Sequence, residues 1–531
     1  MGSYLDEAFQ GDIRRRKEIG NLFDDTRHGD KAQKMITAYE KWLGESVELS
    51  VLRLLGLFDR PAALESIAAL RAAPAIPGLT DMLQNLKVRE WQQSLAKLRR
   101  IKLLGAASSN DPNTLHAHPL VREHFKQQLK LERPAAWREG NKRLYEYLKS
   151  TAKESPDTME EMLPLFAAIS HGCAAGEHPE ALDEIYWRRI QRQDSYYNWN
   201  ELRAFGADLA ALSGFFETPW QEPVAGLKDS DKAFVLLDAG CDLRALGELR
   251  EAAQPIQVAL EMFIGLEDWE NAAIAAENCC ELYITIGDLR QALWFAQHGV
   301  ELADRSNAET EQRDNRTTLA NALYQVGRES EAAAYFDEVE ELQHRQQPAY
   351  PFLYWLSGFQ YCDLLLGRQR IKEVKERVAR MLVEWPQRNK PLLYHALDNL
   401  SLGRAWLLDA RAHRTGFTQA AEFLELALDG LRQARQIDYL PLALLARAEL
   451  HRFTRDYSRA ERDLAEALRI AKRGGMGLHL ADYHLESARL HLAQGNKDKS
   501  REHWKTAKGM IERMGYHRRD NEVNELAEQL G

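Results

Sequence analysis

Side chains able to do chemistry are plentiful in this 531-residue chain, but their spacing fits no catalytic constellation. No G-x-x-x-x-G-K-[ST] loop is present to cradle a triphosphate, and no G-x-G-x-x-G follows a strand. H-E-x-x-H, C-x-x-C and G-x-S-x-G are also missing. The five cysteines, Cys173, Cys241, Cys279, Cys280 and Cys362, are odd in number and lack metal-type spacing. They read as reduced core thiols of a cytoplasmic protein. His484 and His491 lie seven apart on one helix, too far to share a metal without a further ligand, and read as structural or surface groups. The chain is therefore expected to be no enzyme on its own and to hold no metal or cofactor. What remains is the chemistry of recognition, carried by tyrosines, arginines and carboxylates.

Those residues sit in a repeat. Gly247, Gly287, Gly327 and Gly367 are each 40 residues apart, and Gly416, Arg455 and Gly495 continue the series. Small residues recur five places after the pivot, at Ala252, Ala292, Ala332 and Ala460, and seven places before it, at Gly240, Cys280, Ala320, Ala448 and Ala488. A glycine permits a left-handed turn after one helix. Small residues let the next helix pack closely, and stacked hairpins bury faces that none could bury alone. The Gly367 repeat is irregular, with Lys372 at the alanine position, and an insertion lies near DARAHRTG (409–416). An earlier hairpin is expected around Gly176, which precedes Ala181 by the same five residues.

This pattern, over about 230–515, resembles the tetratricopeptide repeat. In that architecture the first helix of each hairpin lines the concave surface. With the turn residue as pivot, inward positions fall 13, 10, 6, 3 and 2 residues before it. They select Arg244, Glu277, Glu281, Asn321, Tyr324, Tyr354, Tyr361, Glu449, Arg452, Asp482 and Arg489 as a candidate partner-binding face. Tyrosine and arginine are enriched in interface hot spots. The aromatic stretch 346–365 is the first place to expect an apolar pocket.

The front of the chain differs. KAQKMITAYEKWL and SVELSVLRLLGLF read as amphipathic helices, and DRPAAL as a proline-initiated helix start. WQQSLAKLRRIKLLGAASSNDPNTLHAHPLVREHF reads as helix, strand, polar turn, strand, helix, the order of a winged-helix domain. The segment resembles the winged-helix domain of bacterial STAND signalling ATPases, the NB-ARC/NACHT-like switch proteins. Its AHPLVREHF (117–125) is similar to their MHD motif, with His118 at the histidine position. The resemblance implies that His118 senses ADP bound by a nucleotide-binding module. Pro119 stands where the family has Asp, so the orienting carboxylate is absent.

Charge divides the chain the same way. Residues 1–150 hold 25 Lys and Arg against 19 Asp and Glu, a net of +6; the rest hold 45 against 61, a net of −16, and the two sum to −10. An acidic solenoid is a poor match for phosphate backbones, so nucleic acid is not the expected partner. No apolar run is long enough for a membrane span, and MGSYLDEAFQGD lacks a signal pattern. The fold expected is all-α: a right-handed tetratricopeptide-like solenoid preceded by a small winged-helix domain. Its divisions are a lead-in at 1–31, the winged-helix-like domain at 32–150, a helical linker with first hairpins at 151–225, and about seven repeats of ~40 residues over 226–531. By resemblance this is the sensor and regulatory region of a STAND-type protein, possessing a protein ligand on the solenoid and a nucleotide-binding module supplied upstream or by another chain. ADP or ATP would enter only with that module, and bacterial antiphage defence is among the roles of the family. A transcription regulator with a DNA-binding winged helix, or a plain assembly scaffold, are the alternatives.

Overall fold

The computed structural model describes residues 28–106, 114–384 and 391–531. The basic run 14–17, most of the lead-in and the polar turn at 107–113 lie outside the described residues. Contacts divide the chain into two compact units, Met1–Asp194 and Ser195–Gly531, a boundary inside the 151–225 stretch. Among the described residues no helix is long and apolar enough to cross a membrane.

The first unit is built around a helix that is buried on most of its faces. Helices α1 (His28–Leu43) and α2 (Val47–Leu55) open it, and Ser46 caps α2 by accepting from the Leu49 N–H at 3.2 Å. Leu49, Val51, Leu52, Leu54 and Leu55 of α2 are all buried, and so are Ser50 and Arg53, the latter paired with Glu45 at 2.9 Å. Strand β1 (Ala62–Ala63) follows Pro61, so the proline precedes a short strand and the helix α3 (Leu64–Arg71) begins after it. Helix α4 (Val88–Arg100) leads to Leu104, which bridges Ala117, while β2 (Thr114–Leu115) pairs antiparallel with β1. Helices α5 (Pro119–Glu132), α6 (Pro134–Thr151) and α7 (Met159–Ala175) follow, and a helical segment from His178 to Ile190 comes after them. Gly56 lets α2 and α5 meet, since a Cβ there would stand 2.7 Å from the Lys126 backbone nitrogen. Helix α7 ends at Gly176 (φ +90°), and Ala181, five residues on, is fully buried, as in the later hairpins.

The second unit opens with α8 (Phe205–Leu212) and the paired strands β3 (Phe216–Thr218) and β4 (Glu222–Pro223). Seven hairpins then follow among the described residues. They are α9 (Asp229–Ala245) with α10 (Leu249–Gly265), α11 (Trp269–Ile286) with α12 (Leu289–Ser306), and α13 (Glu309–Gln325) with α14 (Glu329–Gln346). Next come α15 (Trp355–Gly367) with α16 (Ile371–Glu384), and α17 (Leu392–His413) with α18 (Phe417–Ala434). The last pairs are α19 (Leu440–Phe453) with α20 (Tyr457–Gly474), and α21 (Gly477–Ala493) with α22 (Lys497–Met514); α23 (Asp520–Leu530) closes the chain. The turn glycines and small residues are those read from sequence, and the structure adds the helix caps. Gly247, Gly287, Gly327 and Gly495 take left-handed φ, and Asp268, Asp288, Asp456 and Asn496 cap the helices that follow such turns. Ala252, Ala292, Ala332 and Ala460 are fully buried.

The fourth hairpin departs from the spacing. Its left-handed turn residue is Gln369 (φ +59°), two places after Gly367, and the small-pocket position five further on is buried Val374 rather than Lys372. Gly367 is a glycine for another reason: a Cβ there would stand 2.0 Å from the Tyr324 hydroxyl.

The early hairpin turns pack on the last hairpins. The Ile437 N–H donates to the Ala245 carbonyl at 2.9 Å, and Arg473 pairs with Glu248. A Cβ on Gly247 would meet Ile437 at 3.1 Å, one on Gly287 would meet Met514 at 2.3 Å, and one on Gly477 would stand 2.1 Å from the Ile286 carbonyl oxygen. Gly477→Ala therefore opposes a rule. Replacing a helical glycine usually stabilises by about 0.5–1 kcal/mol, and Gly509→Ala, where only the Arg513 guanidinium comes within 4 Å, is expected to do so. Gly477→Ala is expected to destabilise by roughly 1–3 kcal/mol, because rigid backbone must give way. Urea unfolding of the two variants checks the opposite signs, and equal shifts would rule out the closure contact.

Candidate ligand chamber

Because the early turns meet the late hairpins, the first helices of the hairpins enclose a chamber of about 1110 Å³. Of the predicted face, Arg244, Glu281, Asn321, Tyr324, Glu449, Arg452, Asp482 and Arg489 line it. Three predicted residues do not. Tyr354 and Tyr361 were selected from Gly367, two residues short of the true pivot, so they fall off the inner face. Tyr361 instead stacks on Phe336 at 4.8 Å and donates to Asp337 at 2.6 Å, while Tyr354 precedes α15 with its hydroxyl 3.3 Å from Gln347. Counting from Gln369 selects Leu356, Phe359 and Asp363, all of which line the chamber. Glu277 is turned toward α13, where Thr318 donates to it at 3.5 Å. The aromatic stretch thus gives the chamber Leu356 and Phe359, and spends its other rings on packing between hairpins; Trp355, for example, stacks on Tyr394 at 5.5 Å.

Leu407, Leu408, Leu442, Leu445 and Phe453 give the chamber an apolar part of its lining. Interleaved with them on the same helices is a ladder of ion pairs stepping from helix to helix, and the Arg411 and Arg452 guanidinium groups lie 4.7 Å and 4.4 Å over the Phe453 ring. Arg411 meets Glu449 at 2.8 Å, Arg452 meets Glu486 at 2.6 Å, Arg489 meets Glu522, and Arg519 meets Asp482 at 2.8 Å. Asp363 receives Arg404 at 2.7 Å and Arg518 at 2.8 Å, and the Arg518 guanidinium lies 4.3 Å over the Tyr324 ring. Burial would raise the Asp363 carboxyl, but the two arginines hold it well below the usual carboxylate range. Arg244 is the exception in this series. Its Nε lies 3.8 Å from Asp438, and its buried Nε and Nη1 have no hydrogen-bond partner. Burial pushes Asp438 up to about 7 against the pull of Arg244. Glu281 accepts from Gln360 at 2.8 Å and is raised by burial.

Arg404, Asp438, Arg518 and Arg519 escaped the sequence reading. Arg518 and Arg519 lie beyond the last hairpin, in the segment between α22 and α23, and reach the chamber only through closure. In the first unit His118 is exposed at the start of α5, its Nδ1 accepting from the Leu120 N–H at 3.2 Å.

No family model and no curated protein matches this chain. Among solved structures, a Signal Transduction ATPase with Numerous Domains (STAND) protein with a tetratricopeptide repeat sensor from Pyrococcus horikoshii is similar at 14% identity and a TM-score of 0.33; the alignment covers 95% of this chain and 68% of that one. A Rap protein complexed with competence and sporulation factor is similar at 11% identity and a TM-score of 0.31, with 76% and 96% covered.

Outside the chamber, Glu277 is pushed up to about 8, first by burial and then by the carboxylates of Asp314 and Glu281; Asp314 itself is pushed up to about 6 by burial. A raised acid favours the folded state at low pH. Its contribution is complete below the ordinary glutamate value of 4.5 and is lost as pH rises through about 8. Glu277→Gln removes that loss, so the variant is expected to gain stability relative to the parent between pH 5 and pH 8.5. Urea unfolding at both pH values measures it, and a gap independent of pH would count against the carboxylate cluster.

Proposed function

We propose that this chain is the sensor and regulatory region of a STAND-type signalling protein, in which the second unit takes a segment of a protein ligand into its chamber. The chamber itself carries the reading. At about 1110 Å³ it is slightly larger than the usual small-molecule cleft of roughly 300–1,000 Å³. Apolar and charged side chains alternate along its lining, a surface suited to an amphipathic peptide. The chain alone performs no catalysis in this reading. Panning the full chain against a displayed random-peptide library tests it. Selected peptides are expected to lose at least about tenfold in affinity when Leu408→Trp or Leu442→Trp fills the apolar part of the lining. Undiminished binding by both filled variants would remove the chamber from the proposal.

The regulatory half of the proposal reads 32–150 as a winged-helix-like domain. Its support is the order of elements: helix α2, strand β1, helices α3 and α4, then the antiparallel segments at Leu104 and β2. His118 stands exposed at the start of α5, its ring open to a neighbouring nucleotide-binding module. In the isolated chain His118→Ala removes one helix cap and is expected to cost about 1 kcal/mol. Joined to a phosphate-loop module, the same change is expected to raise basal activity, because a contact made in only one state holds the population there. An unchanged basal signal would sink the switch role. By the same resemblance the output is placed in bacterial defence against phage. A shift of random DNA duplex at low salt would favour a transcription regulator instead.

A further inference from the structure

His484 and His491 on α21 acquire a neighbour that chain spacing does not reveal, His503 on α22. Nδ1 of His484 and Nδ1 of His503 are 3.0 Å apart, with ring centroids 5.1 Å apart, and the His491 ring lies 5.4 Å from that of His503. Tyr483 packs edge-on against both His484 and His503 and holds the pair in place. All three histidines are half-buried, outside the lining of the chamber.

We propose that His484 and His503, with His491 as a third ligand, form a site for a borderline divalent transition-metal ion such as Zn²⁺ or Ni²⁺, stapling α21 to α22. Two imidazole nitrogens 3.0 Å apart, each at about 2.1 Å from a metal, subtend roughly 90° at it, and a small opening reaches the tetrahedral angle. The two Nδ1 atoms now share a hydrogen bond. Moving that proton to Nε2 of the same ring through solvent frees both Nδ1 lone pairs, with no net proton released. Three such groups do not converge on one point in the present rotamers. His491 must swing about its side-chain torsions. Its Nδ1 lies 3.2 Å from Gln494 Oε1, so Nε2 is the nitrogen left to bind, and a ligating histidine commonly donates its other N–H in this way. Lys472 beside His484 and Lys499 beside His503 oppose a cation, and Glu502 favours it. The same two helices supply Gly477 and Met514 to the closure contacts, so a bound ion would tighten the chamber from outside it.

Calorimetric titration of the full chain with ZnCl₂ or NiCl₂ at pH 7.5, with thermal unfolding alongside, tests the site. One ion per chain is expected, with a dissociation constant on the order of 1 μM and a raised unfolding temperature. His484→Ala and His503→Ala should each weaken binding about tenfold or more, and His491→Ala less, as ligand loss would. His298→Ala, on α12, should leave binding unchanged. His503→Gln, which keeps a polar side chain of similar size, repeats the test if the alanine variant fails to fold. Absence of binding up to millimolar metal overturns the site. So does binding that survives both His484→Ala and His503→Ala, or that falls equally in His298→Ala.

Discussion

Everything in the second unit depends on how closely Gly477 approaches the carbonyl of Ile286. Only a residue without a Cβ can stand there, since that atom would sit 2.1 Å from the oxygen. The contact joins the second hairpin to the seventh, and those at Gly247 and Gly327 do the same for their neighbours. A solenoid's stability is ordinarily a sum of nearest-neighbour terms. Here contacts about 190 residues apart turn an open groove into a chamber, and the solenoid becomes a closed body.

Closure sets the electrostatics. Once the hairpins surround the inner face, its carboxylates and guanidinium groups lose most of their water. Desolvation penalises each ion, and only good pairing offsets it. The ladder from Arg411 to Glu522 meets that demand by giving each arginine a carboxylate on the next inner helix. Such pairs add little net stability, yet breaking one leaves a buried charge behind. Each pair ties the first helix of one hairpin to the next inner helix. Arg244 is left with a carboxylate 3.8 Å away and two buried donors without a hydrogen-bond partner.

The first unit is organised differently, around one buried helix and a few short antiparallel segments. There His118 serves its own helix as a cap while remaining exposed. A cap can be lost without collapse of the core, and this is the kind of position where a residue can serve a second role.

What could be read from sequence were the features that depend on neighbours in the chain. Left-handed glycines and buried alanines five residues on defined the hairpins, and the inner-face rule found eight of the eleven proposed face residues in the chamber lining. The same rule failed at Tyr354 and Tyr361 because Gly367 mimicked a turn. A glycine can be required by its φ or by a crowding partner, and Tyr324, the crowding partner here, is 43 residues away. Tertiary structure alone decided the rest. Arg518 and Arg519 reach the chamber, and His503 reaches His484, through contacts between separate helices. Local periodicity describes how one helix lies on the next; it does not contain the pitch of the superhelix, which is set by small rotations summed over seven hairpins and then locked by glycines that permit backbone to touch backbone.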